Sequence, residues 1–462
     1  MKTALPKIIL GGMGVNISDW FLARILAMLG QIGIVSGVAL DRVMARILQL
    51  GGEEARIIIE VLKDFPFPKV AEKIVNKYHN KPHATVQRCT LNPSRESIEL
   101  IVCANWVWIT LAKRDHLGRE HGGKVGINYL TKIGPPLPYA VYGAMLARAN
   151  IITMGAGIPR STPGIIEAYL KGETATNNIP IVGGKDLEMS FNPCEFFDTK
   201  TRILERPKFF PIVSGHTLAM YLVKKLAGKI DCIVIENESA GGHNSPPRNG
   251  KNYGEEDKVD IEKIRKLDIP FYLAGSYAHP GKLLEAENLG ASGVQIGTAL
   301  ACCAQSGMMA SLRDKVCRSI FNGKQVVTTD MVASPTGYPF QVAEVDGTVS
   351  DDTTYSNRTR TCIHGVLETL YMVSPDGNEL GHRCPSGPIN TFHSRGGKIE
   401  DAAGKKCLCA GLLETAGLKI EGEESESPII TLGKDLSTVR RLMRNEYSTY
   451  SAEDVVRYVL AS

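Results

Sequence analysis

A histidine that follows an apolar stretch in the middle of the chain has surroundings that suit chemistry. Residues Asp231–Ile235 form a short, mostly apolar run that predicts a strand, and Ala240-Gly241-Gly242 then lead to His243. Glycine has no Cβ, so a ligand can approach the backbone of Gly241 and Gly242 closely. Because a neutral imidazole can accept a proton or donate a hydrogen bond, the pattern predicts an acid–base residue at a strand end.

The residues around His243 do not indicate hydrolysis or metal binding. No serine or cysteine lies where the sequence of a catalytic triad would need one, and the nearest carboxylates, Glu236 and Glu238, precede the histidine. No metal-ligand spacing surrounds it. A loop histidine without a function is the alternative, and the neighbouring glycines argue against it.

Eight apolar runs, each followed by a helical pattern, predict the scaffold that positions this histidine. The runs start near Ile8, Ile32, Val125, Ile151, Phe210, Cys232, Phe271 and Val294. Strands that are apolar throughout are typical of a parallel sheet covered by helices. We predict an α/β fold, a (β/α)8 TIM barrel with helical insertions and an irregular C-terminal extension, whose active site lies at the carboxyl ends of the strands. A doubly wound sheet is the alternative, but its edge strands cannot be identified.

Helical periodicity and capping residues give the remaining elements. The predicted helices cover Trp20–Leu29, Asp41–Leu50, Pro68–Tyr78, Ser97–Lys113, Pro138–Ala149, Thr217–Leu226, Val259–Leu267, Pro280–Leu289, Thr298–Met308, Ser437–Asn445 and Ala452–Leu460. Ser18 and Ser451 are the predicted N-caps of the first and last helices. Residues 39–123 and 178–208 interrupt the rhythm as insertions, the second with a hairpin around Gly183-Gly184.

The chain is expected to have two parts. Residues 1–345 would form the barrel, and residues 346–462 would form a cysteine-containing extension with two terminal helices. An acidic linker, Glu421–Ser427, precedes those helices. The role of the 39–123 insertion stays open between a lid, a partner surface and bulk.

Small residues at the ends of the last two predicted strands suit an anion. Gly275-Ser276 and Gly297-Thr298 follow these strands, the position at which many barrels bind phosphate through backbone N–H groups. An ordinary strand-to-helix turn is the alternative at each position. Gln295 is a polar residue on an apolar strand, so it must be hydrogen-bonded if it faces inward, and a satisfied core glutamine is its alternative.

Composition and charge exclude several classes of function. The 462 residues carry a formal net charge of +4 with scattered Lys and Arg, which does not indicate binding to nucleic acid or to a membrane surface. Met1–Pro6 lacks a signal-peptide pattern, and the longest apolar run, Ile98–Ala112, is interrupted by polar residues and is too short to span a bilayer. We expect a cytoplasmic protein, with its oligomeric state, a homo-oligomer included, left open.

The ordered motifs together resemble the nitronate monooxygenase family, formerly called 2-nitropropane dioxygenase. The resemblance covers roughly residues 8–342 and depends on the order of the motifs, since each alone is weak. The matching stretches are Gly12-Met13-Gly14, Asn128, Met154-Gly155-Ala156-Gly157, Ala240-Gly241-Gly242-His243, Gly275, Gln295-Ile296-Gly297-Thr298 and Ser334-Pro335-Thr336-Gly337-Tyr338-Pro339.

This resemblance implies a flavoenzyme with FMN as cofactor and with a small-molecule substrate and dioxygen as its partners. It assigns the FMN phosphate to Gly275, Ser276, Gly297 and Thr298, and the flavin ring to the neighbourhood of Gly12, Met13, Gly14, Asn128, Gly241 and Gly242. Gln295, on the strand between these loops, joins the cofactor-binding set. His243 matches the active-site histidine that binds or deprotonates the nitro substrate, which is oxidised to a carbonyl compound and nitrite.

Two departures from the family pattern leave other functions open. Ser276 stands where family members often have a second glycine, and the insertions make this a large member, whose substrate need not be a small nitronate. The same barrel and Ala-Gly-Gly-His motif resemble the FMN-type enoyl-acyl-carrier-protein reductase, an enoyl thioester reductase of fatty-acid or polyketide synthesis with an acyl-carrier partner. A third hypothesis is a binding or scaffold subunit, against which the glycine loops and His243 argue.

The C-terminal cysteines suggest a separate hypothesis. Cys362, Cys384, Cys407 and Cys409 could hold Zn²⁺ or an iron–sulfur cluster through four thiolates, with His364, His382 and His393 nearby. The usual C-x₂-C spacing is absent, so buried or free thiols are the favoured interpretation. The remaining cysteines, including Cys302-Cys303, fit small buried apolar side chains.

Overall fold

Eight parallel strands close into a barrel in the computed structural model of the protein, which describes residues 5–199, 203–373, 379–419 and 425–461. In chain order the strands are β1 (Ile8–Leu10), β2 (Ile32–Ser36), β3 (Lys124–Leu130), β4 (Ile151–Gly155), β5 (Ala175–Ile179), β6 (Leu187–Phe191), β7 (Lys208–Val213), β8 (Ile233–Glu236), β9 (Phe271–Ala274), β10 (Gly293–Ile296), β11 (Val327–Asp330), β12 (Phe340–Ala343), β13 (Thr369–Met372) and β14 (Leu380–Arg383). Around the barrel the order is β1, β10, β9, β8, β7, β4, β3, β2 and back to β1. The predicted TIM barrel is confirmed.

The barrel closes because its strands are apolar on both sides. Ile8, Ile9 and Leu10 of β1 are fully buried, and all five residues of β2 are buried. β1 pairs with β10 in the register Ile9↔Gln295 and with β2 through Ile9↔Ile32, which joins the two ends of the sheet. The other six strands lie outside the barrel as three antiparallel hairpins. One of them, β5–β6, contains the predicted Gly183-Gly184 turn, and the predicted 178–208 excursion also includes residues 200–202, which lie outside the described residues.

Helices cover the outside of the barrel. They are α1 (Trp20–Met28), α2 (Leu40–Leu50), α3 (Gly52–Leu62), α4 (Pro68–Tyr78), α5 (Arg95–Lys113), α6 (Leu137–Leu146), α7 (Thr162–Lys171), α8 (Pro193–Phe196), α9 (His216–Lys225), α10 (Ile261–Arg265), α11 (Pro280–Asn288), α12 (Thr298–Ala301), α13 (Ala310–Phe321), α14 (Asp352–Asn357), α15 (Ile389–Ser394), α16 (Leu408–Thr415), α17 (Ser437–Leu442) and α18 (Ala452–Leu460). Short 3₁₀ helices cover Thr131–Ile133, Glu255–Asp257 and Ile399–Ala402. No helix in the described ranges has both the length and the apolar character needed to cross a membrane.

Most predicted helices are present, and the differences have local causes. The helix predicted over Thr298–Met308 ends at Ala301, because the chain must turn where Gly307 donates its N–H to the carbonyl of Ile17 at 2.9 Å. The N-cap of α1 is Asp19 instead of Ser18, since the Asp19 carboxylate accepts from the Leu22 N–H. The Ser18 hydroxyl instead accepts from the Met13 N–H at 2.9 Å.

The first insertion is a helical layer. Gly51, at φ +73°, ends α2, and Gly52 starts α3, a helix that the sequence prediction missed because a glycine pair usually breaks a helix. The apolar run Ile98–Ala112 lies within the single buried helix α5. The insertion therefore adds to the hydrophobic core.

Residues from the C-terminal quarter belong to the same hydrophobic core as the barrel. Leu432, Val439, Tyr450 and Val456 are buried in it together with the barrel strands. Ser451 caps α18 with a reciprocal capping box to Asp454, as predicted. Residues 1–4, 421–424 of the acidic linker, and 462 lie outside the described residues. The division at residues 345 and 346 stays a prediction.

Candidate functional site

A cavity of about 240 Å³ opens at the carboxyl ends of the barrel strands and is called here the barrel-mouth cavity. Every site residue predicted from the sequence lines it: Gly12, Met13, Gly14, Asn128, Gly241, Gly242, His243, Gly275, Ser276, Gln295, Gly297 and Thr298. They come from the ends of β1, β3, β8, β9 and β10, which the barrel brings to one edge.

The loop after β1 packs against the end of β3. A Cβ added to Gly12 would lie 2.3 Å from the Cβ of Asn128, so only glycine fits at this position. The side-chain Oδ1 of Asn128 accepts a hydrogen bond from the Thr153 hydroxyl at 2.8 Å. This bond fixes the orientation of the side-chain amide and leaves its Nδ2 as a donor group. The glycine thus allows a polar side chain to lie beside the backbone of residues 11–14.

The turn after β9 has a strained backbone. Gly275 has φ +92°, and an added Cβ would lie 2.1 Å from the Asn237 amide oxygen. Ser276 has φ +61°, in the left-handed region that favours glycine, which accounts for a glycine being usual at this position in the family that the sequence resembles. The Ser276 hydroxyl lies 2.7 Å from that of Ser239, whose own hydroxyl donates to Asn237 Oδ1 at 2.6 Å. Strain of this kind is typical of binding sites.

Gln295 is not a satisfied core glutamine. Its side chain is 7% exposed, and its Nε2 has no hydrogen-bond partner among the described residues. The residue lines the barrel-mouth cavity from β10. A buried N–H₂ group without an acceptor costs free energy on the order of 1–3 kcal/mol, so this side chain indicates a ligand that accepts a hydrogen bond.

His243 lies in the cavity as a neutral ring. Burial, assisted by the positive charge of Lys132, lowers the pKa of His243 to about 3. Its Nε2 lies 2.7 Å from the hydroxyl of Ser334. The described residues form no hydrogen bond with Nδ1, which is therefore the nitrogen available to a ligand. The ring packs edge to face on Phe340 at 4.9 Å between centroids.

A chain of hydroxyl groups connects His243 to Lys132. The Ser334 Oγ lies 2.8 Å from Thr336 Oγ1, and the Lys132 Nζ donates to Thr336 Oγ1 at 2.9 Å. Burial lowers the pKa of Lys132 to about 7. A charged ammonium can only donate, so protonated Lys132 orients the chain toward His243 Nε2, whereas the neutral amine can accept and permits the reverse orientation. We call His243, Ser334, Thr336 and Lys132 the hydroxyl relay.

Ser334 is brought to His243 from a distant part of the sequence, although the sequence around the histidine indicated no serine of a catalytic triad. The pair is nevertheless unsuited to nucleophilic catalysis. Ser334 is 0% exposed and does not line the cavity, so a substrate cannot reach its hydroxyl. No carboxylate of the described residues bonds to His243 to complete a triad.

Glu236 is a second titratable group in the cavity wall. It lies at the end of β8, and burial raises the pKa of its carboxyl to about 8. At neutral pH the group is mostly protonated and can donate a hydrogen bond. The sequence identified it only as a carboxylate near His243.

A segment from the C-terminal quarter covers part of the cavity. The hydroxyl of Thr431 accepts from the Gly242 N–H at 2.7 Å, and the Gly433 N–H donates to the Thr298 hydroxyl at 2.8 Å. The Lys434 N–H donates to the Ser239 carbonyl at 2.9 Å. Residues 431–434, called here the mouth segment, therefore join the ends of β8 and β10 and pack closely on Gly241, where an added Cβ would lie 3.0 Å from the Leu432 carbonyl carbon.

A second cavity of about 540 Å³, called here the side cavity, lies beside the first. The two share the wall residues Ala39, Ala156, Gly157, Tyr338, Val366 and Leu367. Lys132 and Thr336 line the side cavity, whereas His243 lines the barrel-mouth cavity. The hydroxyl relay therefore runs through the wall between the two cavities.

The C-terminal cysteines form no metal-binding group with the other residues that the structure describes. No three or more His, Cys, Asp or Glu side chains in the described ranges are grouped so that they could hold a metal ion. Cys362 and Cys384 are close together, and hydrogen bonds from Cys362 and Ser386 lower the pKa of Cys384 to about 6. The His393 ring instead bonds to the carbonyl of Gly397 at 3.1 Å. The hypothesis of four metal-bound thiolates is not supported.

Three groups of site residues were missed at the level of sequence. Lys132 follows β3 by two residues, so a cation just past a strand end was the available signal. The 334–339 motif was recognised, but nothing indicated that its hydroxyls meet His243. The mouth segment is a loop whose contacts lie more than 130 residues away, and no local pattern marks it.

Comparison with protein-family models and with curated proteins gave no match. Among solved structures, the chain is similar to FabK from Thermotoga maritima, with 15% identity over 99% of this chain and 92% of that chain and a TM-score of 0.47. A nitroalkane oxidase from Streptomyces ansochromogenes gives 11% identity, 99% and 95% coverage and a TM-score of 0.46. The enoyl reductase domain of MlnA from the macrolactin biosynthesis cluster of Bacillus amyloliquefaciens shows 12% identity over 98% of this chain and 91% of that chain, with a TM-score of 0.46. At these scores the assignment of the barrel rests on the strand order alone.

Proposed function

We propose that the protein is an FMN-dependent oxidoreductase that oxidises alkyl nitronates with dioxygen to a carbonyl compound and nitrite. The observation that carries the proposal is a single cavity in which a neutral His243 lies among all the residues that the ordered motifs assign to a flavin. The proposed substrate is a small molecule, and the reaction would take place at the carboxyl end of the barrel.

The donor groups of the barrel-mouth cavity fit a flavin. The unpartnered Nε2 of Gln295 and the Nδ2 of Asn128 are amide donors suited to ring carbonyls and ring nitrogens. The close approach at Gly12 leaves backbone exposed to a flat ring, and the small residues at 275–276 and 297–298 suit its phosphate. Met13 and Phe340 contribute apolar surface, as cofactor pockets require.

The residues of the chain would bind and orient the substrate while the flavin, when bound, supplies electron transfer between substrate and dioxygen. Neutral His243 offers Nδ1 to the nitro group. With Nδ1–H it donates a hydrogen bond to a nitro oxygen, and with unprotonated Nδ1 it accepts the proton from the carbon that bears the nitro group. Phe340 and the mouth segment exclude water from the reacting atoms.

The hydroxyl relay would set which of these two roles His243 takes. When Lys132 is protonated, its donor chain makes Nε2 an acceptor, so Nδ1 carries the hydrogen. When Lys132 is neutral, Nε2 can donate along the chain, and a proton taken up at Nδ1 is balanced by a proton passed through Ser334 and Thr336 to the Lys132 amine. Lys132 is thus the proposed proton store of the site.

An enoyl thioester reductase is the second candidate, favoured by the side cavity. Its volume of about 540 Å³ exceeds what a small nitronate needs and suits an elongated acyl group. Protonated Lys132 could also return a proton to a carbon through the relay, as a reduction requires. An acyl-carrier protein would be the partner in that case.

An absorbance spectrum of the purified protein tests the flavin, and two assays separate the reactions. We expect a yellow protein that releases FMN on denaturation, and a Gln295→Leu variant that retains less of it. Nitrite formed from an alkyl nitronate under air supports the first candidate. Flavin bleaching by NAD(P)H, followed by reoxidation with a crotonyl thioester, supports the second. A colourless protein that takes up no FMN would overturn both.

A further inference from the structure

Arg42 is a buried cation without hydrogen-bonded partners in the wall of the side cavity. It lies in the first turn of α2, just past the carboxyl end of β2, and is 3% exposed. Its Nε and Nη1 have no hydrogen-bond partner among the described residues. The carboxylate of Asp41 forms an ion pair with Arg42, with Oδ2 3.6 Å from Nε, but this distance is too long for a hydrogen bond. A buried guanidinium is normally paired and fully hydrogen-bonded, so this one lacks an acceptor.

The charged groups around the cavity do not accept hydrogen bonds from the Nε and Nη1 of Arg42. Arg88, Lys132 and Arg160 also line the cavity, as do the carboxylates of Asp41, Asp186 and Glu368. Glu368 is already paired with Arg88 at 3.0 Å, and Lys132 donates to Thr336. Asp186 and Arg160 are exposed, where solvent screens them. Asp41 is ion-paired with Arg42 at 3.6 Å without a hydrogen bond, so the Nε and Nη1 donor groups of Arg42 remain unused.

The pKa of His364 is lowered in part by the same positive charges. It is 9% exposed and lines the cavity. Burial first, and then the charges of Arg42, Arg46 and Arg88, lower the pKa of His364 to about 3. The imidazole is therefore kept neutral by burial first and by three arginine charges second, and an anion bound nearby would offset those charges.

We propose that Arg42 anchors the carboxylate or phosphate of an elongated organic anion in the side cavity. The volume of about 540 Å³ is in the range of small-molecule sites, and the cavity reaches the surface at Arg160. The two cavities share a wall, so the uncharged end of the same ligand would reach His243 only where that wall opens beside Tyr338 and Leu367. This last step rests on the proposed function, whereas anion binding at Arg42 does not.

Calorimetric titration with succinate and with inorganic phosphate tests the anchor, and dimethyl succinate serves as the uncharged probe. We expect the purified protein to bind at least one of the anions but not the diester. Arg42→Met should weaken that binding about tenfold or more, as the loss of charge-assisted hydrogen bonds does. Arg56→Met is the matched control, because Arg56 lies on the next helix with its side chain 73% exposed. The anion that binds with the higher affinity shows whether the charged end of the ligand is a carboxylate or a phosphate.

Stability separates a binding role from a structural one. Arg42→Met removes two buried donor groups without acceptors but leaves the partly exposed Asp41 carboxylate without its ion pair, so its melting temperature should stay close to that of the wild type. If the methionine variant does not fold, Arg42→Lys, which keeps the charge and loses the planar fork, carries the test through a weaker affinity for the anion. Wild-type protein that binds neither anion, or unchanged affinity in the variant that folds, overturns the anchor.

A kinetic comparison tests the extension toward His243. With the nitronates of 3-nitropropionate and 1-nitrobutane, Arg42→Met should raise KM for the carboxylate substrate alone and leave kcat for both. Equal effects on the two substrates would remove Arg42 from substrate binding in the reaction. If the protein binds the anion through Arg42 but does not turn over either substrate, the proposed function is contradicted and the anion site at Arg42 is still supported.

Discussion

The Nζ of Lys132 lies 3.1 Å from the centroid of the Tyr338 ring, in the wall that separates the two cavities. The aromatic face favours the ammonium, whereas burial opposes it and lowers its pKa to about 7. The two protonation states of Lys132 are therefore both populated near neutral pH.

This balance predicts a pH dependence that belongs to Lys132. With a neutral nitroalkane as substrate, turnover should rise as pH increases through about 7, because only the unprotonated amine accepts the proton from the relay. Lys132→Met should remove that inflection and raise the pKa of His243, which the lysine charge now lowers. Thr336→Val, which keeps the lysine but interrupts the relay, should also lose the inflection. A preformed nitronate needs no deprotonation and is the control substrate; an inflection that persists in Lys132→Met contradicts the relay.

His243→Ala should keep the flavin and lose turnover. A placed acid–base group typically contributes about 10²–10⁴-fold, so with a neutral nitroalkane as substrate kcat should fall in that range while the flavin absorbance of the purified protein is unchanged. His116→Ala is the matched control, since His116 is exposed in the loop after α5. Steady-state rates of the two variants give the comparison, and equal rates would remove His243 from the mechanism.

Glu236→Gln should change how stability depends on pH. Burial raises the pKa of the Glu236 carboxyl from 4.5 to about 8, so between these values the folded state holds a proton that the unfolded state has lost. This group therefore lowers the free energy of unfolding as pH rises from about 4.5 to about 8, and its effect is constant above that range.

Glutamine keeps the shape of the protonated carboxyl and does not ionise. The variant should match the wild type near pH 4 and be more stable than it at pH 8, as measured by denaturant unfolding. Parallel pH curves for the two proteins would show that Glu236 ionises normally.

Ser276→Gly and Ser276→Ala should differ in stability. Both variants lose the hydroxyl bond to Ser239, but only alanine keeps a Cβ in the left-handed region at φ +61°. The glycine variant should be more stable by about 1 kcal/mol in denaturant unfolding. Equal stabilities would mean that the turn after β9 relaxes to another conformation.

Gly12→Ala should displace Asn128 and impair flavin binding. The added Cβ would lie 2.3 Å from the Asn128 Cβ, so one side must move, at a cost of about 1–3 kcal/mol in unfolding free energy. Gly164→Ala in α7 is the control, because its Cβ meets nothing within 4 Å. Helix propensity should make that control neutral or slightly stabilising. Measured flavin retention should fall only in Gly12→Ala, and equal retention in both would contradict the assignment of this loop.

The barrel could be predicted from sequence because its strands are continuous apolar runs, each followed by a helical pattern. Two of these strands, Ile8-Ile9-Leu10 and Gly293–Ile296, can be recognised in the sequence without knowing which strands they pair with. Once eight units are counted, the barrel closes in one order, and the residues at the strand ends must meet. The proximity of His243, Gly275 and Gln295 follows from this count.

Contacts that depend on side-chain geometry between distant segments could not be predicted. The relay joins Lys132, His243 and Ser334 through hydroxyl distances that no spacing encodes. Helix ends are set by competing tertiary contacts, as at Ala301, where the predicted continuation to Met308 gives way to the contact of Gly307 with Ile17. In the sequence Arg42 looks like an ordinary helix residue, and only the structure shows that it is buried and that its Nε and Nη1 lack hydrogen-bond partners.

The hydrogen bond from Gly242 to Thr431 spans 189 residues of sequence, although every barrel strand is complete by Ile296. The barrel strands can therefore pair before residues 431–434 contact them, because that contact requires the closure of a long loop by a late part of the chain. A ligand that contacts both the strand ends and residues 431–434 favours the docked arrangement, and docking in turn favours the ligand by the same factor. Occupancy of the site and the order of the C-terminal quarter are thus linked, so hydrogen exchange at Gly433 and Lys434 should slow when the cavity is filled.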